Sequence, residues 1–295
     1  MKDALIVSAL SLVPRNRGAR AMGQLARTPA SRWLTRAFVR AYGVDLSEAE
    51  GALHDYPTLE SLFTRRLRPG VRPVDPGPDA LVSPVDGRCA VVGRTVNGAI
   101  EVAPGRLLRL APLLDRDGED LGERDVCVLY LSPKDYHRVH VPREGLATAW
   151  RYVPGTLWPV FPAAVRRVTD LFSRNERVTV SIATDRGPLD VVLVGAFGVG
   201  RITVEVCDLV TNAGGARSDA ALTPPVPVTR GAELGTFHLG STVVLVAEPD
   251  RYRFTVAAGD VVRVGRTIAR GQPLLTDAGS TGPTDGAAEP GGAAG

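Results

Sequence analysis

The sequence has little cysteine, little lysine and no long apolar run. Its three cysteines are odd in number, far apart and without CxxC spacing. Neither a disulfide framework nor a zinc site is therefore expected, and a reducing compartment is favoured. No segment approaches the roughly eighteen apolar residues that a membrane-spanning helix needs. The two lysines are Lys2 and Lys134, so arginine supplies nearly all of the positive charge.

Several motifs of common folds and binding sites are missing as well. Helices and strands do not alternate in the βαβ pattern, which argues against a Rossmann fold. The glycine-rich stretch at residues 195–200 lacks the Gly-Lys-Ser/Thr ending of a phosphate-binding loop. No recognised nucleic-acid-binding motif accompanies the basic N-terminus, so we expect no nucleic-acid partner.

Positive charge is concentrated at the N-terminus. Residues 1–40 contain Lys2 and seven arginines against Asp3, which gives +7; the whole chain carries +3, so the other 255 residues carry −4. The apolar residues 4–13 resemble a signal peptide in outline, but no small-x-small cleavage site follows them. We therefore expect a retained N-terminus that touches a membrane.

The segment from Ser31 to Tyr42 has the pattern of an amphipathic helix, with Ser31 placed to cap it. One half of the helical wheel is apolar and aromatic, and the other carries arginines at i+4 spacing. The apolar half comprises Trp33, Leu34, Ala37, Phe38, Ala41 and Tyr42, and the arginines are Arg32, Arg36 and Arg40. Such a helix is typical of one that lies in a lipid interface. The alternative is a helix packed on the protein's own core with solvated arginines.

After the N-terminal region the pattern changes from helical to β. Residues 59–67 predict a further short helix, and a proline-rich connector follows. From about Leu81, short runs rich in Val, Ile, Leu and Thr alternate with Gly, Pro and Asp, which predicts strands. The clearest runs are residues 126–131, 178–182, 191–194, 202–206, 234–237, 242–246 and 261–264. The sequence thus predicts an α+β fold, with N-terminal membrane-associating helices (1–67), a predominantly antiparallel β sandwich or barrel (68–277) and a disordered tail (278–295).

Two short stretches in the first half contain residues suited to chemistry. Residues 83–87 are turn-like and include Asp86, although an ordinary β-turn has aspartate at the same place. Residues 135–142 include His137 and His140, which face opposite sides of an extended segment, so that one can face a cleft. They have no third ligand at a defined spacing, so no metal is expected. Ordinary hydrogen-bonded histidines are the alternative.

Two further stretches lie in the second half. Residues 153–161 combine glycine, prolines and bulky apolar side chains. They predict either a loop that presents Trp158 and Phe161, with Leu157, to a substrate or membrane, or a loop folded onto the core. Gly240 and Ser241 lie between two predicted strands, where such a pair is usually only a bulge or a close backbone contact.

Together these stretches resemble phosphatidylserine decarboxylase of the bacterial type, from about residue 30 to about residue 275. Six blocks occur in the family's order. They are SPVDG at 83–87, LSPKDYHRVHVP at 131–142, YVPGTLWPV at 152–160, LFSRNERV at 171–178, LVGAFGVG at 193–200 and LGSTVVL at 239–245. The last block is the most diagnostic, because in the family it contains the bond that the protein cleaves in itself. One departure is Thr156, where the family often has aspartate.

The resemblance implies that Asp86, His140 and Ser241 form a triad that cleaves the bond between Gly240 and Ser241. His140 would take the serine proton while Asp86 fixes its tautomer, and Gly240 would admit close attack because it lacks a Cβ. The products would be a β chain of residues 1–240 and an α chain of residues 241–295. These two chains would form a heterodimer, which could dimerise further, and Ser241 would become a pyruvoyl group.

The resemblance also implies a pyruvoyl-dependent carboxy-lyase that converts phosphatidylserine to phosphatidylethanolamine and CO2. The pyruvoyl ketone would form a Schiff base with the substrate amine and accept electrons, as pyridoxal phosphate does elsewhere. Because Lys134 is the only internal lysine, the sequence favours a built-in cofactor over pyridoxal phosphate. His137 is the candidate proton donor. The expected location is the anionic, cytoplasmic face of the cell membrane, as a peripheral protein.

Three other interpretations remain open on the sequence alone. The chain could be a pyruvoyl decarboxylase that acts on a soluble amino acid, although the amphipathic helix and the Trp158 loop argue against this. It could be an uncleaved serine hydrolase that uses Ser241, His140 and Asp86 on outside substrates. It could also be a non-enzymatic β scaffold bound to membranes.

Overall fold

A computed structural model describes residues 24–197, 201–212, 215–238 and 240–273. The apolar residues 4–13 and the predicted tail at 278–295 lie outside these ranges. The α-helices are α1 Arg32–Tyr42, α2 Leu59–Phe63, α3 Leu110–Leu114, α4 Pro162–Val165 and α5 Leu171–Arg174. Short 3-10 helices occur at Pro29–Ser31 and Leu53–Asp55.

The strands account for most of the chain after residue 80. They are β1 Ala80–Val82, β2 Gly87–Arg94, β3 Ala99–Ala103, β4 Arg106–Arg109, β5 Asp125–Leu131, β6 Arg138–His140, β7 Gly145–Val153, β8 Arg177–Thr184, β9 Gly187–Gly195, β10 Ile202–Val204, β11 Ser218–Val228, β12 Glu233–Phe237, β13 Ser241–Ala247, β14 Tyr252–Phe254, β15 Val261–Val262 and β16 Thr267–Gly271. Each run that the sequence predicts as a strand overlaps one of them.

Eight strands form one sheet, here called the large sheet, in the order β11-β7-β8-β9-β13-β5-β2-β15, with antiparallel neighbours throughout. Its outermost strands, β11 and β15, do not pair with each other, so the barrel form of the prediction is wrong for the described residues. A barrel requires its first and last strands to pair. β11 contains Pro224, Pro225 and Pro227, which lack the N–H that a further strand would need. The α+β class with antiparallel strands is confirmed.

The central strands β5, β9 and β13 are buried on both faces. Every residue of β13 is buried, and so is every residue of β5 except Tyr130. One face shares a core with two smaller sheets, the β6 sheet (β10-β12-β6) and the β1 sheet (β1-β16-β14). The other face is covered by α3, α4, α5 and the β3–β4 hairpin. Because both faces are covered, these strands show continuous apolar runs instead of alternation.

The N-terminal helices pack on each other and on the β6 sheet. The predicted bounds of α1 are confirmed, and the helix ends at Gly43, which has a φ of 65°. The predicted cap is wrong, because the Ser31 hydroxyl makes no capping bond and instead accepts from the backbone N–H of Leu59, 2.9 Å away. The helix predicted over residues 59–67 ends earlier, at Phe63. Among the described residues no helix has the length and apolarity to cross a membrane.

Candidate active site

Ser241 is the first residue of β13 and is completely buried. It lies in the ladder between Leu131 of β5 and Gly195 of β9. Its Oγ has no hydrogen-bond partner among the described residues. An unsatisfied buried polar group costs about 1–3 kcal/mol, so an unpaired hydroxyl at this place calls for a functional reason.

The residue before Ser241 adopts a conformation that favours glycine. Gly240 has a φ of +44°, in the left-handed region. A Cβ there would lie 3.4 Å from the carbonyl oxygen of Phe197, in ordinary contact, so the strain of a larger residue would come from the backbone conformation. The alternation of side chains along β13 puts Ser241 on the same face as Val243 and Leu245, toward the β6 sheet.

Asp86 lies in the turn between β1 and β2 and is bound mainly by an arginine. Arg72 Nε is 3.0 and 3.1 Å from its two carboxylate oxygens, and Arg72 Nη2 is 2.5 Å from Oδ2. The backbone N–H of Val264 also donates to Oδ1 over 2.9 Å. Burial lowers the pKa of Arg72, but its hydrogen bonds to Asp86 and Glu48 outweigh burial and raise the pKa above the ordinary value. Asp86 is thus fixed by a partner that the sequence did not indicate.

His140 ends β6 and uses both ring nitrogens in hydrogen bonds. Its Nδ1–H donates to the Gly231 carbonyl oxygen over 2.8 Å, so Nε2, 3.1 Å from the Tyr136 hydroxyl, is the acceptor. Burial raises the pKa of Tyr136 to about 12, which keeps that hydroxyl a donor. Burial also lowers the pKa of His140, against the opposing effects of the Gly231 bond and the nearby Glu233 and Asp86 charges. His140 is therefore neutral at pH 7, the state that a general base needs.

The structure places Asp86 and His140 on neighbouring elements, but no hydrogen bond joins any two of the three predicted triad residues. The backbone N–H of His140 donates to the Pro84 carbonyl over 2.8 Å, so β6 lies against the turn that carries Asp86. However, Asp86 bonds to Arg72, His140 bonds to Gly231 and Tyr136, and the Ser241 hydroxyl is unpaired. The triad therefore stays a prediction. It requires the Tyr136 hydroxyl to leave His140 Nε2 before Ser241 can bond there.

His137 is fully buried between the β6 sheet and the N-terminal helices. Its Nδ1–H donates to the Asp135 carbonyl over 2.8 Å, while Nε2 has no hydrogen-bond partner among the described residues. The Phe63 ring of α2 packs on the imidazole, with centroids 4.2 Å apart. Burial lowers the pKa of His137 to about 3, with the Arg65 charge acting in the same direction. His137 is therefore neutral, with a free Nε2 lone pair at a dry position.

The loop at residues 153–161 is folded onto the core, the second of its two predicted alternatives. Leu157 is fully buried, Trp158 is 7% exposed, and Phe161 is partly buried against the same cluster. Leu157 and Trp158 are therefore not presented to a membrane. Thr156, the departure from the family pattern, bonds through Oγ1 to the Arg174 carbonyl over 3.0 Å.

Asn175 ties this loop to the strand beside Ser241, and the sequence analysis did not single it out. Its Oδ1 accepts from the Trp158 N–H over 2.8 Å. Its Nδ2 donates to the carbonyls of Trp158 and Gly195 over 2.8 and 2.9 Å. Gly195 is the cross-strand neighbour of Ser241. The only signal for Asn175 was its place in the LFSRNERV block, because contacts between distant segments leave no local pattern.

A polar cavity of about 310 Å3 opens where the N-terminal region meets the large sheet. Its walls combine basic and acidic side chains with the hydroxyls of Tyr130, Ser132 and Tyr136. The charged residues are Asp45, Glu48, Arg65, Arg72, Asp86, Arg88, Lys134, Asp135 and Arg263. The cavity can therefore accept a ligand that carries charges of both signs.

The protein has an α+β fold. Its site contains a buried serine, a candidate nucleophile, directly after a glycine whose backbone is in the left-handed conformation. The family model for phosphatidylserine decarboxylase matches residues 59–270. The chain belongs to the phosphatidylserine decarboxylase family, as the resemblance predicted.

Bacterial relatives named phosphatidylserine decarboxylase proenzyme resemble the chain along most of its length. The protein of Anaeromyxobacter sp. (strain K) is 44% identical over 283 residues, which cover 91% of this chain and 99% of the relative. The protein of Myxococcus xanthus is 37% identical over 279 residues, covering 91% and 99%. That of Brevibacillus brevis is 35% identical over 282 residues, covering 94% and 99%.

Proposed function

We propose that this chain decarboxylates phosphatidylserine with a pyruvoyl group that it makes from Ser241 after cleaving the Gly240–Ser241 bond. The observation that carries the proposal is the buried, unpaired hydroxyl of Ser241 directly after a left-handed glycine. Membership of a family whose relatives are named proenzymes supports it, since that name implies a processed precursor.

The chain's own residues suit the cleavage step. The Ser241 Oγ attacks the Gly240 carbonyl carbon, and His140, neutral because of its burial, accepts the hydroxyl proton. The acyl group thereby moves from nitrogen to oxygen and forms an ester. Elimination of this ester leaves dehydroalanine at position 241, which hydrolyses with loss of ammonia to the pyruvoyl group. Asp86 stabilises the imidazolium of His140 through its nearby charge.

The residues around position 241 also fit a pyruvoyl group. The Ser241 Oγ, which the conversion removes, has no hydrogen-bond partner among the described residues, so its loss breaks no side-chain hydrogen bond there. The ladder to Leu131 and Gly195 holds β13 on both sides, so its first residue stays in place after cleavage. When present, the group supplies a carbonyl that binds the substrate amine and takes up the electrons released with CO2.

Decarboxylation needs a proton at the former carboxyl carbon, and His137 is the proposed donor. Its Nδ1–H is fixed on the Asp135 carbonyl, so the proton must be carried on Nε2, which is unpaired. Burial disfavours the imidazolium in the free protein. The negative charge of a bound substrate carboxylate offsets this penalty and lets His137 take up and deliver the proton.

The exposed surface of α1 supports a peripheral membrane location. Trp33 is 70% exposed and Tyr42 is 50% exposed, and the arginines Arg32, Arg36 and Arg40 are exposed beside them. Aromatic rings and arginines side by side suit the interface of an anionic leaflet, where each basic residue contributes about 1 kcal/mol. This proposal places the protein on the cytoplasmic face of the cell membrane.

Gel electrophoresis and mass spectrometry of the purified chain test the proposal. The wild type should give two bands, and the smaller chain should be lighter than residues 241–295 by one ammonia. It should release CO2 from phosphatidylserine vesicles. Ser241→Ala should remain a single inactive band, whereas Ser218→Ala, on edge strand β11, should behave as wild type. A wild-type chain that stays at full length and releases no CO2 contradicts the proposal.

A further inference from the structure

An apolar groove of about 340 Å3 lies on the face of the large sheet opposite the β6 sheet. Its floor is formed by the buried side chains of Val128, Val160, Val165 and Phe172. The volume is within the range of about 300–1,000 Å3 typical of small-molecule sites. Nothing in the proposed cleavage chemistry uses this groove.

The groove reaches the residue next to Ser241. Thr242 lines it, and its Oγ1 is buried without a hydrogen-bond partner among the described residues. An unpaired buried hydroxyl is a donor that a ligand oxygen can satisfy. A ligand in the groove would therefore gain a hydrogen bond from the residue that follows Ser241 in the chain, on the opposite face of β13 from the Ser241 side chain.

The groove also adjoins the polar cavity. Tyr130 and Arg88 line both, so one edge of the groove is shared with the space that Asp86 lines. A ligand that spans the two would be apolar at one end and charged at the other. A phospholipid has this form.

Two guanidinium groups lie on the rim of the groove. Arg88 and Arg166 are exposed and line it. Arg88 donates to the Gly259 carbonyl over 2.9 Å, and neither arginine is within ion-pair distance of a carboxylate in the described part of the chain. Unpaired guanidinium groups bind phosphate oxygens in a bidentate manner.

We infer that the groove binds one acyl chain of the phospholipid substrate, with its ester carbonyl on Thr242 and its phosphodiester on Arg88 and Arg166. The inference rests on the proposed function and deepens it. A peptide is a poorer occupant, because its backbone N–H and C=O groups would meet a floor of valines and phenylalanine that offers them no hydrogen bonds.

Ala90→Trp tests the inference. Ala90 is exposed and lines the groove, so an indole there fills acyl space without disturbing the core. For dioleoyl phosphatidylserine in mixed micelles, kcat/KM should fall about tenfold, the effect of losing about two buried methylene groups. For dihexanoyl phosphatidylserine, whose short acyl chains extend less far into the groove, the decrease in kcat/KM should be clearly smaller. Ala220→Trp, at an exposed alanine of edge strand β11, is the matched control and should change neither value.

The outcomes separate the inference from the proposed function. Equal effects of Ala90→Trp on both lipids, as expected if the groove holds protein instead of an acyl chain, overturn the inference. No effect on either lipid overturns it as well. If Ala90→Trp fails to fold, Ala103→Phe on the groove wall takes its place with the same two expectations. A wild-type enzyme that decarboxylates neither lipid overturns the proposed function itself.

Discussion

At the scale of single residues, the candidate site contains two histidines in different surroundings, His137 fully buried and His140 partly buried. His140 accepts from the Tyr136 hydroxyl and lies near the Asp86 charge. His137 packs against the tilted ring of Phe63, and its Nε2 has no hydrogen-bond partner in the described part of the chain. Both are neutral at pH 7 because burial disfavours their charged forms. These surroundings support the proposed roles, which are proton removal from Ser241 for His140 and proton delivery to the substrate for His137.

Separate substitutions of the two histidines should separate cleavage from turnover. We expect His140→Ala to leave the precursor uncleaved, because Ser241 then lacks a base. We expect His137→Ala to cleave but to lower kcat by about 10²- to 10⁴-fold, the usual contribution of a general acid. Gel bands and CO2 release measure the two effects. His54→Ala, at an exposed histidine, is the control; a cleaved and fully active His140→Ala protein would exclude the assignment.

The buried neutral state of His137 should make stability depend on pH. Its pKa falls from 6.5 in the unfolded chain to about 3 in the folded chain, so the unfolded state binds more protons between these values. The free energy of unfolding therefore decreases as pH falls below about 6.5, by up to about 1.4 kcal/mol per pH unit, because protons bind His137 in the unfolded chain only. Urea unfolding of the uncleaved Ser241→Ala chain at pH 7 and 5 should show a smaller loss after His137→Asn. An unchanged loss would mean that His137 is protonated in the folded state.

The left-handed conformation of Gly240 should matter for cleavage. Gly240→Ala introduces a strain of about 1–2 kcal/mol and a Cβ that lies 3.4 Å from the Phe197 carbonyl. We expect the precursor to disappear more slowly on gels. Gly105→Ala, at a positive-φ glycine with nothing within 4 Å, should cost stability but leave the cleavage rate unchanged. Equal cleavage rates for both variants would rule out a special role for position 240.

At the scale of elements, the candidate site depends on the position of β13 between two strands. The ladders to β5 and β9 align Ser241 with Leu131 and Gly195. The Asn175 side chain donates to the Gly195 carbonyl. The same side chain bonds to the backbone N–H and carbonyl of Trp158 and so holds the loop at residues 153–161. The β9 end of the site is thus held by one amide that leaves no local sequence signal.

Loss of the Asn175 amide should loosen this end of the large sheet. Asn175→Ala leaves a buried N–H and two buried carbonyls without their partner, and we expect a loss of about 2–4 kcal/mol in the free energy of unfolding. Asn175→Asp should be no better, because its carboxylate would face the Trp158 and Gly195 carbonyls. Denaturant unfolding in the uncleaved Ser241→Ala background measures both. An Asn175→Asp protein as stable as its parent would show that the two carbonyl contacts contribute nothing.

At the scale of the whole molecule, a row of packed aromatic rings connects α1 with His137. Aromatic rings follow one another from Tyr42 to Phe38, from Phe38 to Phe63 and from Phe63 to His137, with centroids 4.6, 5.5 and 4.2 Å apart. Tyr42 is half exposed on α1, and His137 is fully buried. The proposed lipid-facing surface and the proposed proton donor therefore belong to one packed unit.

Trp33 should contribute to membrane attachment. Because its side chain is mostly exposed, Trp33→Ala should keep the fold while weakening flotation with anionic vesicles, and added salt should weaken it further by screening the arginines. Val96→Ala, at a similarly exposed apolar residue outside α1, is the control. Equal flotation of the two variants would argue against α1 as the attachment surface.

Much of this molecule could be predicted from sequence because its signals are local. The extent of α1, the overlap of each predicted strand with an observed one and the family blocks all depend on residues close together in the chain. The predictions that were wrong depended on hydrogen-bond partners that are far away in the chain. Ser31 bonds to Leu59 instead of capping α1, and the barrel does not close because β11 and β15 remain edges.

The sequence by itself determined the family, the strands and the Gly240–Ser241 pair, since composition and short-range order specify these. Only the tertiary structure decided that Asp86 is fixed by Arg72 and that Trp158 turns inward. It also decided that the hydroxyls of Ser241 and Thr242 are buried with no hydrogen-bond partner among the residues that the structure describes. The physical reason is that hydrogen-bond partners and burial arise from packing between segments far apart in the chain. No local pattern of residues encodes which distant side chain fills a given space.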